Sequence, residues 1–156
     1  MAIIATIKRH LRRLGLLSPL SFDQQVWGAK SLMDLHQSGS RFYLAEANRG
    51  ETMYTCWQGS QDSQPYAITI DSTGHSTGPT FDDSRVAECQ AFAYPPKFSC
   101  AQAQQFMVKA GITDSWAFCR LRQTVDYRES CFYDFTFATR RPVRVDAITG
   151  QVTQSQ

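Results

Sequence analysis

No stretch of this sequence is apolar over about 18 residues, the length a membrane-crossing helix needs, so no such helix is expected. It has no Cys-x-x-Cys pair, no Gly-x-Ser-x-Gly, no phosphate-binding glycine loop and no dinucleotide fingerprint. Each of those chemistries depends on its spacing, so each absence removes a class of enzyme. The three histidines, His10, His36 and His75, fall in three separate segments. Cys89, Cys100, Cys119 and Cys131 stand too far apart in sequence for the usual zinc spacings, so no metal is expected. Lysine is scarce, 4 against 12 arginines, which suits planar ion pairing at an interface. A net charge of +2 is too small to indicate a nucleic-acid partner.

Acidic residues are missing from one place. Residues 1–22 carry Lys8, Arg9, His10, Arg12 and Arg13 but no Asp or Glu. Within them, 2–17 have helical spacing. Ile3, Ile4, Ile7, Leu11 and Leu14 form one stripe, the bases face away, and Gly15 and Ser18-Pro19 end the helix. Such a helix either packs its stripe on the domain or docks, on an anionic membrane surface or in a partner's groove. The candidate docking residues are Ile3, Ile7, Lys8, Arg9, Leu11, Arg12 and Arg13. Because the apolar start precedes the basic cluster, no secretory leader is expected. With five cysteines, an odd number, the expectation is free thiols and a cytoplasmic location, possible attachment at a membrane periphery included.

With 42% hydrophobic and 12% aromatic residues, the chain can bury a sizeable core as one domain or two packed half-domains. Two segments resemble each other. Tyr66–Gly74 and Pro142–Gly150 align with Asp71 and Asp146 75 residues apart, the same offset as Cys56 and Cys131. Helices opening with Ser21-x-x-Gln24 and Ser99-x-x-Gln102, two capping boxes, precede them at an offset of 78. The reading is α+β, with two α-β-β-β units whose helices pack on an antiparallel sheet, preceded by the basic amphipathic helix. The boundaries are 1–17 for that helix, 18–74 for the first unit, 75–98 for a linker and 99–156 for the second unit. Period-two alternation places Ala117, Cys119, Leu121, Cys131, Tyr133, Phe135, Phe137, Val143 and Val145 inward in the second unit. The matching inward set in the first is Phe42, Leu44, Tyr54, Cys56, Ile68 and Ile70. Cys119 and Cys131 are then expected on neighbouring strands, close enough to touch.

Tyr133-Asp134-Phe135-Thr136-Phe137, followed by Val143-Arg144-Val145-Asp146-Ala147-Ile148-Thr149-Gly150-Gln151-Val152, resembles the tail of the PepSY family. The match is best over the last 20 residues and extends over about the last 55; the first unit matches through Ile68–Gly74 alone. The resemblance implies a cystatin-like helix on a three-stranded sheet, and a domain that binds or inhibits other proteins. Asp71, Asp146 and Gly150 then serve turns: the Asp accepts backbone hydrogen bonds and Thr-Gly supplies a left-handed corner.

Catalysis has few candidates. Cys100, at the first turn of a helix, is the one thiol with a physical reason for a lowered pKa, with His36 or His75 as a possible base. The expected function is a non-enzymatic protein-binding module that regulates, inhibits or helps assemble a larger partner, without cofactor. The alternative is a ligand-binding domain or cysteine-dependent enzyme using a pocket between helix and curved sheet.

Overall fold

A computed structural model of the chain describes residues 2–126 and 130–154. Helix α1 spans Ala2–Arg13, α2 Phe22–His36 and α3 Cys100–Lys109. The strands are β1 (Arg41–Asn48), β2 (Met53–Gln58), β3 (Pro65–Ile70), β4 (Ser76–Phe81), β5 (Phe118–Arg122), β6 (Phe132–Thr136), β7 (Val143–Asp146) and β8 (Val152–Gln154). They form one antiparallel sheet in the order β4-β3-β2-β1-β5-β6-β7-β8. The architecture is α+β. β1 and β5 join the two halves directly, Ala45 opposite Leu121 and Ala47 opposite Cys119.

Both α2 and α3 begin where a serine satisfies their free amides. Ser21 and Ser99 each accept from the N3 amide at 3.2 Å, and Gln24 and Gln102 return a bond to each serine's own N–H at 2.9 Å. The two helices pack on one face of the sheet. Phe22, Val26, Ala29 and Met33 of α2 and Ala103 and Met107 of α3 are buried there against Trp57, Ile68, Tyr133, Phe135, Val143 and Val145. Gly28 permits the close approach of α2 to β3: a Cβ there would stand 2.7 Å from Ile70 Cδ1. Asp23, in the first turn of α2, also reaches α3, accepting from the amides of Cys100 at 2.8 Å and Ala101 at 3.0 Å.

Three sequence expectations need correction. In the first half, β2 faces the helices with Met53, Thr55 and Trp57, not with Tyr54 and Cys56. A bulge between Phe42 and Leu44 turns Leu44 away from Phe42's face. Leu44 and Cys56 are buried instead in a second, smaller cluster with Cys89, against which Tyr43, Tyr54 and Val86 pack. In the second half, Ala117 is exposed just outside β5. The span 75–98 is more than a linker, because it contains β4. From there it runs as a strap over the outer sheet face. Tyr54 donates to Asp82 at 3.0 Å, Cys89 bridges to Thr124, and Phe92 pairs with Phe42. Tyr94 then lies on the helix side, its ring 5.2 Å from Trp27 and 5.3 Å from Phe42.

Candidate functional site

Among the described residues, α1 packs no buried side chain against the rest of the fold. None of its residues is buried, and Ile3, Ile4 and Ile7 are 75%, 57% and 52% exposed. At about 100° per residue, Ile3, Ile4, Ile7, Leu11 and Leu14 share one flank of the helix. Lys8 and His10 border that stripe, and Arg9, Arg12 and Arg13 lie behind it. Leu11 and Arg12 are half-buried because the chain folds back locally: the amides of Leu16 and Leu17 donate to the Leu11 carbonyl, and Arg12 Nε donates to the Ser18 carbonyl at 3.2 Å. Among the described residues, no helix is long and apolar enough to cross a membrane.

Asp71 and Asp146 follow β3 and end β7. Asp71 Oδ1 accepts from the Thr73 amide at 2.8 Å, the Thr73 hydroxyl at 2.6 Å and the His75 amide at 3.0 Å. Burial raises the Asp71 pKa, but these donors outweigh it and hold the carboxyl below its ordinary range. Asp146 Oδ1 accepts from the amides of Ile148 at 2.7 Å and Thr149 at 3.0 Å. Gly150, at φ +79°, closes the turn with its amide on the Asp146 carbonyl, and a Cβ there would also meet the Phe106 ring at 3.0 Å. Both carboxylates are occupied by their own turns.

All five thiols are free and buried. Cys119 stands opposite Phe135, whereas Cys131 precedes Phe135 by four residues, about 13 Å along an extended strand. The two therefore do not touch, which corrects the sequence expectation: they share a face but lie at opposite ends of the strand pair. Cys119 neighbours Cys100 instead. Its pKa is raised by burial and then by that adjacent thiol. Burial likewise pushes Cys56 and Cys131 up to about 12. Cys100 is fully buried, and among the described residues its thiol meets the Gln104 amide at 3.6 Å rather than His36 or His75. His36 lies edge-on to Tyr66. No group of three His, Cys, Asp or Glu side chains among the described residues is placed to hold a metal.

Sequence reasoning missed a groove on the outer sheet face, where β1 meets β5. Its cavity is about 440 Å³. Glu46 of β1 pairs with Arg120 of β5 at 2.9 Å and with Arg85 from the strap. Arg85 also lies over the Tyr54 ring at 4.3 Å, and Arg120 over Phe118 at 5.5 Å. Arg122, one alternation further along β5, faces the same cavity. Leu44, Cys89 and Phe118 supply the apolar wall. Burial raises the Cys89 pKa, with Arg122 and Arg120 beside it pulling the other way. The one available sequence signal was Arg120-x-Arg122 alternating on a strand, since Arg85 and Glu46 are brought in from distant segments.

No family model and no curated protein matches the sequence. The fold is similar to that of a crystal structure, at 1.85 Å, of a Clostridium difficile 630 protein provisionally described as a lipoprotein. The TM-score is 0.61 at 15% identity, over 88% of this chain and 95% of that one. At that identity the likeness defines a shared α+β fold and no shared activity.

Proposed function

We propose that the protein is a non-enzymatic binding module held at an anionic membrane surface by α1, where its sheet-and-helix body engages a protein partner. The observation that carries this reading is the exposed isoleucine stripe of α1 in a segment with four Lys and Arg and no acid. An amphipathic helix of this kind sinks its apolar flank to the acyl boundary and keeps its bases at the headgroups. Near an anionic leaflet each Lys or Arg contributes about 1 kcal/mol, so four contribute about 4 kcal/mol. A protein groove would need matching acids, whereas an anionic bilayer supplies them everywhere.

The body fits a partner role through its edges: among the described residues, β4 and β8 each pair on one side only. We read its two halves as copies of one PepSY-type helix-and-meander unit, enlarged by a fourth strand. Supporting this are the mirrored strand order about β1 and β5, the paired capping boxes and the Asp-Thr-Gly turns after β3 and β7.

The test is co-sedimentation of the full chain with phosphatidylcholine vesicles, with and without phosphatidylglycerol. Binding should require phosphatidylglycerol, weaken with added salt, and be lost in Ile7→Asp. A chain that ignores phosphatidylglycerol vesicles removes the membrane reading and leaves a protein groove as the seat of α1.

A further inference from the structure

We infer that the outer-face groove at the β1–β5 junction is a binding site for a small phosphate monoester. Among the described residues that line it, three guanidinium groups, Arg85, Arg120 and Arg122, converge against one carboxylate, Glu46, while Asp82 beside Arg85 and Glu88 beside Cys89 stand just outside the wall. The lining side chains alone carry a net charge of about two positives, the charge a phosphate monoester dianion neutralises. Arg122 carries the sharpest sign. Among the described residues its Nε is buried without a hydrogen-bond acceptor and no carboxylate pairs with it, the Cys89 thiol being the group its guanidinium meets. A buried donor left open is costly and rare, and an anion in the cavity removes that cost.

The site is built rather than incidental. Arg120 is positioned by Glu46 and Arg85 by both Glu46 and the Tyr54 ring, so two of the three cations are held before any ligand arrives. The strap carries Arg85 and Cys89 over the sheet and gives the groove its second wall. About 440 Å³ is far more than a bare phosphate fills and falls within the usual range for small-molecule sites. Leu44 and Phe118 line the remainder, which favours an ester with an apolar or aromatic group over the inorganic ion. Planar guanidinium forks match phosphate oxygens in pairs, a geometry that lysine does not offer.

The experiment is calorimetric titration of the full chain with phenyl phosphate, inorganic phosphate and phenol. Arginine Nε–H resonances are followed in parallel. Phenyl phosphate should saturate, bind more tightly than inorganic phosphate, and shift the Arg122 Nε–H signal while leaving that of the exposed Arg141 in place. Arg122→Gln should weaken it about tenfold or more, the loss of one charge-assisted contact, and Arg141→Gln should not. Phenol binding as tightly as phenyl phosphate, or affinity unchanged in Arg122→Gln, overturns the site. Inorganic phosphate matching phenyl phosphate overturns the ester as its ligand. If Arg122→Gln does not fold, an Arg122 Nε–H signal unmoved at saturation with wild-type protein overturns the site equally.

Discussion

Asp23→Ala tests how the two halves hold each other. Asp23 belongs to α2, yet its carboxylate accepts from the first two amides of α3, Cys100 at 2.8 Å and Ala101 at 3.0 Å. Those amides have no partner within α3 itself. Ser99 already serves the amide of Gln102, so the side chains of two helices divide the open donors of one. A hydrogen bond to a charged group contributes about 1.5–3 kcal/mol, and a helix cap about 0.5–2 kcal/mol. Asp23 is half-exposed and the Ala101 amide is reachable by water, which favours the lower end of both ranges. The expected loss is therefore about 1–2 kcal/mol, concentrated on the part-buried Cys100 amide.

In a domain of this size, each kcal/mol moves the thermal midpoint by about 2–4 °C. Urea unfolding of wild type, Asp23→Ala and Asp23→Asn should rank them in the order wild type, Asn, Ala, since Asn keeps one acceptor and loses the charge that the helix N-terminus favours. The m-value should stay constant, because the exposed surface does not change. An Asp23→Ala variant within about 0.3 kcal/mol of wild type would show that water replaces the carboxylate at no cost, and that α2 and α3 are coupled through packing alone.

Phe135→Ala should cost about 3–5 kcal/mol by urea unfolding, because Phe135 is fully buried among Trp116 and Tyr133; a loss under about 1 kcal/mol would mean the core there collapses to fill the space. Mass measurement with and without reductant should find no Cys119–Cys131 bridge in folded protein, since their register keeps them well beyond the roughly 7 Å limit between Cα atoms; a bridged species would refute the strand register. Asp71, whose folded pKa is depressed, contributes stability that is present above about pH 4, its unfolded value, and lost as pH falls through the folded pKa. Asp71→Asn should therefore flatten the acid limb of a stability-against-pH curve, and an unchanged limb would remove Asp71 from that linkage.

Legibility tracked how cleanly one face was buried. Tyr133, Phe135, Val143 and Val145 alternate with the half-exposed Phe132, Asp134 and Arg144, so period two identified their faces. On β2, Thr55, Cys56 and Trp57 are all buried, because the strap covers the outer face as the helices cover the inner. Alternation has nothing to report in a strand covered on both sides. The bulge at Phe42/Leu44 left no mark in the sequence, and it displaced Leu44. β4 contains Gly78 and Pro79 at a sheet edge, where proline is tolerated, and reads as loop for that reason. The serine caps were legible because their signature is local. The groove was not, because Glu46, Arg85 and Arg120 meet only after the sheet is assembled.

The strand order makes that meeting necessary. β4 ends the first meander at one edge of the sheet, while β5 must begin the second at its centre, beside β1. The chain between them has to travel back across three strands. The inner face is already filled by α2, so the return runs over the outer face, and α3 can start only after the strap has rounded β1 at the Phe42–Phe92 pair. A strand-crossing strap leaves open ground on its flank wherever the sheet continues beneath it. Here that ground is the joint between the halves, which brings Glu46 from the first half, Arg120 and Arg122 from the second, and Arg85 from the strap into one place. Neither half contains the groove alone. In the full chain, Arg85→Gln should lower phenyl phosphate affinity, because it removes the strap's cation from the joint. Affinity unchanged in that variant would assign the ligand to Arg120 and Arg122 alone and remove the strap from the site.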